Sequence, residues 1–207
     1  MSMDSEHSDD TAGRTVLMVG FDEAGRGPLA GPVVAAAVIL PPDFPVEILD
    51  DSKRLSPRKR EAAQSVIRSR ACWGIGSADH RTIDRVNILE ATMLAMRDAF
   101  DDMSGKFGEW SSGNGLAGAV MRGMTDGTRC PDVPVECHAE PRADGKYPAV
   151  MAASILAKTY RDALMAEYDR LYPEYGYAGH KGYPTRGHIA VCRRLGPSPI
   201  QRLTFRY

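Results

Sequence analysis

The 207-residue chain carries 26 basic and 27 acidic residues, a formal net charge of -1, and 43% hydrophobic side chains. That apolar content supports one sizeable core and argues against a disordered or fibrous chain, while the near-neutral balance removes any case for a polyanion binder based on excess positive charge. No apolar run approaches the roughly 18 residues of a membrane span, and the polar, acidic start lacks the basic and apolar regions of a signal peptide. Four scattered cysteines, Cys72, Cys130, Cys137 and Cys192, suit reduced thiols, so a cytoplasmic protein is expected.

Residues 1–14, with Asp4, Glu6, Asp9 and Asp10 and almost nothing to bury, read as a disordered leader ahead of one domain over 15–207. "TVLMVGF" (15–21) predicts a first strand and "PVVAAAVIL" (32–40) a second, joined by a Gly/Pro-rich connection that suggests antiparallel pairing. Ser56 as N-cap with Pro57 at the first helical position starts a helix running to about Arg68, and "ACWGIGSA" (71–78) follows as a third strand. The apolar spacing of Ile83, Val86, Leu89, Met93 and Met96 predicts a single amphipathic helix over 81–100. The Gly/Ser-rich stretch 104–118 then reads as a flexible loop, and 119–125 as a fourth strand ending at Asp126. A long helix begins near Pro148 and is closed by Pro173; beyond it lie Gly/Pro-rich loops and a short helix. Strands mixed with helices and no internal repeat indicate an α/β domain around a central sheet. The tail from 181 holds Lys181, Arg186, Arg193, Arg194, Arg202 and Arg206 with no acid, an end suited to facing phosphates.

Acids at strand ends are the recurring chemical feature. Asp22 and Glu23 follow the first strand and Asp126 follows the fourth. If those strands are neighbours, the carboxylates meet, and like charges that close need a proton, a base or a metal. Several carboxylates around one cleft suit hard cations, above all Mg²⁺, and two such ions about 4 Å apart clamp both the attacking and leaving oxygens of a phosphoryl displacement. An ordinary turn role serves Asp126-Gly127 equally well at this point. Gly25-Arg26-Gly27 adds a loop whose backbone can approach a sugar or phosphate while Arg26 offers a forked cation, although a tight turn alone explains two glycines.

These stretches resemble a known family. "GFDEAGRGPLAGPVVAAAVIL" (20–40), "DSKRLSPRKRE" (51–61), "TIDRVNILEATMLAM" (82–96), "DGTRCP" (126–131), "AASILAKTYRDALM" (152–165) and "YPEYGYAGHKGYPT" (172–185) occur in the order seen in bacterial type 2 ribonucleases H, the ribonuclease HII family. The resemblance implies an RNase H-like fold, a mixed central sheet flanked by helices, with a C-terminal helical segment from about Pro173. It further implies Mg²⁺ or Mn²⁺ held by Asp22, Glu23, Asp126 and Asp144, with Asp162 and Glu140 as alternatives for the fourth acid. Ala143 stands before Asp144 where the family commonly has Gly.

By the same resemblance Gly25, Arg26 and Gly27 read the 2′-hydroxyl at an RNA-to-DNA junction, Tyr183 packs on the sugar, and Lys53 contacts a phosphate, with Lys158 and Arg161 as further phosphate candidates. The implied activity is endonucleolytic hydrolysis 5′ to ribonucleotides in RNA/DNA hybrids and in duplex DNA containing single ribonucleotides, by a monomer. A catalytically inactive nucleic-acid-binding module on the same fold is the alternative. Ribonuclease HIII, with Glu at the fourth acid and an additional N-terminal domain, fits less well. Two departures are the 104–118 insertion and Gln201, where the family commonly has His.

Overall fold

Residues 14–50, 52 and 55–206, and the backbone of His7–Asp9, are described by a computed structural model. Among them six strands form one mixed sheet: β1 (His7–Asp9), β2 (Thr15–Ala24), β3 (Val33–Ile39), β4 (Cys72–Ala78), β5 (Val120–Asp126) and β6 (Cys137–Glu140). Their order is β4-β3-β2-β5-β6, with β1 also on β2. β2, β3 and β4 pair antiparallel, whereas β5 runs parallel to β2 and β6 parallel to β5. His7–Asp9 pair with Thr15–Leu17, which corrects the disordered reading for those three residues; residues 1–6 and 10–13 of that leader lie outside the described ones.

Period-two alternation assigns the faces of β2. Leu17, Val19 and Phe21 point into a core shared with α3 (Ile88–Gly113), while Met18 packs with the opposite core beneath α4 (Pro148–Leu171). β3 reads "VVAAAVI" without alternation because it is buried on both faces. Close approach of the helices depends on residues without side chains. A Cβ on Gly74 or Gly76 would lie 2.2 or 2.1 Å from the α3 carbonyls of Ala99 and Ala95, and one on Gly20 would lie 2.2 Å from the Ala149 carbonyl carbon of α4.

α1 (Pro57–Arg70), capped by Ser56 through the Lys59 N–H, lies beside α4 on that second face. A third, smaller core of Ala30, Met165, Tyr175, Tyr177, Cys192 and Ile200 joins the far end of α4 to the C-terminal segment, which comprises a 3-10 turn (Pro173–Tyr175), α5 (Tyr177–His180) and α6 (Arg186–Leu195). The tail then returns to the centre, where Gly31 N–H donates to Ile200 and Arg202 N–H to Leu29.

Four expectations change. β2 runs three residues further than predicted, so Asp22 and Glu23 belong to the strand and pair with Ala36 and Ala35. The helix over 81–100 is two helices, α2 (His80–Val86) and α3, broken where Asn87 takes φ 70° and caps α3 through the N–H groups of Leu89 and Glu90. The loop expected at 104–118 is mostly helix: α3 continues to Gly113 because Phe107 and Trp110 pack on the core and the Trp110 indole donates to the Arg70 carbonyl, and tertiary contact overrides weak propensity. β6 was unforeseen; "CHAE" shows no β-branched pattern.

The Gly20 contact gives a direct test. Gly20→Ala should cost about 1–3 kcal/mol, the usual cost of overpacking a well-filled interior, read as a lower urea midpoint; unchanged stability would mean that α4 does not press on β2 there.

Candidate active site

Parallel register fixes the acids of β2 and β5. Phe21 pairs with Thr125, so the next position places Asp22 beside Asp126 on neighbouring strands, which lie about 4.8 Å apart, with both side chains toward the same face. The conditional expectation that these strands are neighbours therefore holds. Asp22 is buried. Burial, then the charge of Glu23, and to a smaller degree that of Asp126, push its carboxyl well above the usual carboxylate range, against hydrogen bonds donated by the Ser154 hydroxyl and the Glu23 N–H. The Glu23 N–H lies 2.7 Å from Asp22 Oδ1. Ser154 belongs to α4 and is itself 2.9 Å from the buried Ser52 hydroxyl, so a hydroxyl pair anchors Asp22 from the helix side.

Asp144 sits in a 3-10 turn (Ala143–Gly145) between β6 and α4 and is also buried. Asp126 Oδ1 accepts the Ala143 N–H at 2.9 Å, which ties this turn to the end of β5. The two alternative acids have other partners. Glu140 pairs with Lys146 and accepts the Tyr147 hydroxyl at 2.7 Å. Asp162 accepts Lys158 at 2.6 Å, and Arg60 approaches it at 3.8 Å.

Asp22, Glu23, Gly25, Arg26, Gly27, Ser52, Arg60, Ser154, Lys158 and Tyr183 line one open cleft of about 450 Å³. Lys53 lies outside the described residues. Tyr183 is 44% exposed, and its ring edge passes 3.6 Å from where a Cβ on Gly27 would be. Its carbonyl accepts from His188 Nδ1, and His188 stacks on His180 with centroids 4.2 Å apart, so the Tyr183 turn is held from within. Arg26 reaches back to Glu23 at 3.3 Å.

Arg161 is no phosphate contact. It is buried and donates to the carbonyls of Pro32, Lys181 and Ala30; burial lowers it to about 10. Sequence reasoning missed Ser154, Ser52, Arg60 and Arg202. The one signal for Ser154 was a hydroxyl inside the apolar "AASILA" run of α4.

All the candidate ligands are carboxylates, the donor chemistry of a hard divalent cation, and the raised Asp22 marks negative charge in want of a counter-ion. Among the described residues no three acidic, His or Cys side chains are already grouped as a cation cage. Glu23 is turned to Arg26, and Asp126 to the Ala143 amide. The residues fit such an ion by donor type, while the described positions do not gather three of them at one point.

The ribonuclease HII family model matches residues 19–207. The chain belongs to the ribonuclease HII family. It is 47% identical over 190 residues to ribonuclease HII of Dechloromonas aromatica, covering 91% of this chain and 90% of that protein, and 49% identical over 193 residues to that of Azoarcus sp., covering 93% and 88%. Among solved structures it is similar to ribonuclease H2 of Pyrococcus horikoshii (TM-score 0.65, 25% identity, 91% of this chain and 93% of that one). The fold is also that of Archaeoglobus fulgidus ribonuclease HII, solved with PCNA (TM-score 0.66, 22% identity, 92% and 96%). A ribonuclease HIII solved with Mn²⁺ shares it too (TM-score 0.66, 17% identity, 92% and 67%). The expected RNase H-like fold is therefore the observed one, and the family is one of divalent-metal-dependent ribonuclease H endonucleases acting on nucleic acid. No described helix is long and apolar enough to cross a membrane.

The raised Asp22 carboxyl has a stability consequence. Because its folded value exceeds the unfolded one, ionisation costs stability in full above the raised value, and the cost fades as pH falls from there toward the ordinary aspartate range, below which it is gone. Metal-free Asp22→Asn should thus be more stable than the parent at pH 8, by roughly 1–3 kcal/mol, with the gap closing on acidification. Urea unfolding in chelator checks this; a less stable variant at pH 8 contradicts it.

Proposed function

We propose that the chain hydrolyses the phosphodiester on the 5′ side of a ribonucleotide, in RNA/DNA hybrids and in duplex DNA containing single ribonucleotides, leaving 3′-hydroxyl and 5′-phosphate ends. One observation carries this reading: Asp22 and Glu23 line the cleft walled by Gly25-Arg26-Gly27 and Tyr183, and the strand register brings Asp126 beside Asp22. Two of the assigned carboxylates and the glycine-and-tyrosine wall share one cleft.

Asp22, Glu23, Asp126 and Asp144 are the residues assigned to hold Mn²⁺ or Mg²⁺. When bound, two such ions supply an activated water and a counter-charge for the leaving 3′-oxygen. Asp144 is preferred to Glu140 and Asp162 because its turn is tied to Asp126 through the Ala143 amide. Ser154 orients the Asp22 carboxylate from α4.

On the substrate side the backbone donors of Gly25-Arg26-Gly27 read the 2′-hydroxyl, the feature that separates RNA from DNA at one nucleotide, and the Tyr183 ring packs against that sugar. Lys158, in the cleft, and Lys53 meet flanking phosphates. One chain supplies every assigned residue, in keeping with a monomer, and the described cysteines are free thiols, in keeping with a cytoplasmic setting.

Asp22→Asn and Asp126→Asn should each reduce cutting of a single-ribonucleotide duplex in Mg²⁺ or Mn²⁺ by at least about a hundredfold with unchanged circular dichroism, whereas Asp162→Asn should stay within about tenfold. A gel assay of end-labelled duplex reads both. A protein that shifts the duplex without cutting it is a binding module instead, and an inert Asp162→Asn beside an active Asp144→Asn would reassign the fourth ligand.

A further inference from the structure

Arg202 lies in the basic tail but does not face solvent: it is fully buried. Its guanidinium donates to four backbone carbonyls of one loop, Nη2 to Gly25 at 2.6 Å, Nη1 to Arg26 at 3.0 Å and to Pro28 at 2.8 Å, and Nε to Gly31 at 2.9 Å. Phe205 covers the guanidinium face at 5.1 Å. Among the described residues no carboxylate forms an ion pair with it, and burial together with the nearby Arg161 lowers it to about 9. A buried cation without a directly paired carboxylate is costly. Here the carbonyl dipoles of a single loop, with the charge of nearby Asp84, offset that cost.

The tail is built to hold this group in place. Asp84 on α2 accepts from Leu203 N–H at 2.8 Å and from Thr204 N–H at 3.0 Å, fixing the turn that follows Arg202. Planar trans peptides translate the contact into function, since each N–H points opposite to the carbonyl of the same unit. With the Gly25 and Arg26 carbonyls drawn inward, the amides of Arg26 and Gly27 are turned to the exposed cleft side, and among the described residues no acceptor takes either one.

We propose that Arg202 is a positioning residue for ribose recognition: by holding the Gly25 and Arg26 carbonyls inward, it keeps the Arg26 and Gly27 amides aimed into the cleft as preset donors for the 2′-hydroxyl. The inference rests on the 2′-hydroxyl reading of this loop given above. A planar fork with five donors meets four carbonyls spread over seven residues; a lysine ammonium does not span them.

The test compares binding, by fluorescence anisotropy in chelator so that no hydrolysis proceeds, of two duplexes of the same sequence, one with a single ribonucleotide and one all DNA. The parent protein is measured beside Arg202→Gln and Arg202→Lys, with circular dichroism as the folding check; Arg202→Lys retains the buried charge and is read alone if Arg202→Gln does not fold. The expected result is a drop of about tenfold in the preference for the ribonucleotide duplex in both variants, the size of one or two misaligned hydrogen bonds, with all-DNA affinity held within about twofold. Equal weakening on both duplexes, or a preference that survives in the folded variants, overturns the role of Arg202. A parent protein with no preference overturns the 2′-hydroxyl reading beneath it, which separates the two failures.

Discussion

Asp22 is a carboxylate held out of water at the end of a strand, with Glu23 next in sequence and Asp126 next in the sheet. Each of those neighbours opposes its ionisation, and only the Ser154 hydroxyl and one backbone amide favour it. Such an arrangement reduces stability in the empty protein and favours a divalent cation, whose charge opposes the burial and repulsion that disfavour ionisation. The sheet enforces the arrangement: parallel pairing of β2 with β5 leaves the two aspartates side by side, and Gly20 allows α4 to approach closely enough to bring Ser154 over them.

Around that charge the chain builds a rigid wall from an unusual use of arginine. Arg161 from α4 and Arg202 from the tail both project inward and bind carbonyls of the segment between β2 and β3. The connection that sequence alone presents as a turn is therefore fixed at both ends, and Gly25, with φ 103°, is obligatory because a Cβ there would meet Arg161 Nε at 2.0 Å. Cleft, loop and tail form one unit even though Gly25 and Arg202 lie at opposite ends of the domain.

Local chemistry made much of this legible. The adjacent acids, the Gly-Arg-Gly turn, the Ser56-Pro57 helix start and the long helix at Pro148 are all signalled by a few neighbouring residues. What depends on distant partners was not. That Asp126 lies against Asp22 follows from a parallel pairing across about a hundred residues, which spacing permits but does not dictate. Arg202 and Arg161 look in sequence like members of basic surface runs; only the fold shows them buried. Residues 104–113, rich in Gly and Ser, become helical because Phe107 and Trp110 have a core to reach, and Asn87 divides a periodic helix because its side chain caps better than its backbone continues. Asp144 was proposed from its spacing to "AASILAK" and to Asp126, and the tie of its turn to Asp126 through the Ala143 amide could not be read from the chain.

The central claim is that the surroundings of Asp22 oppose its ionisation until a cation arrives. Carbon-13 NMR of the Asp22 side-chain carboxyl, titrated with pH without and with Mg²⁺, tests it most directly. The account predicts a midpoint well above the ordinary aspartate range in chelator and a marked fall when Mg²⁺ is added. An ordinary midpoint that ignores the ion would contradict it.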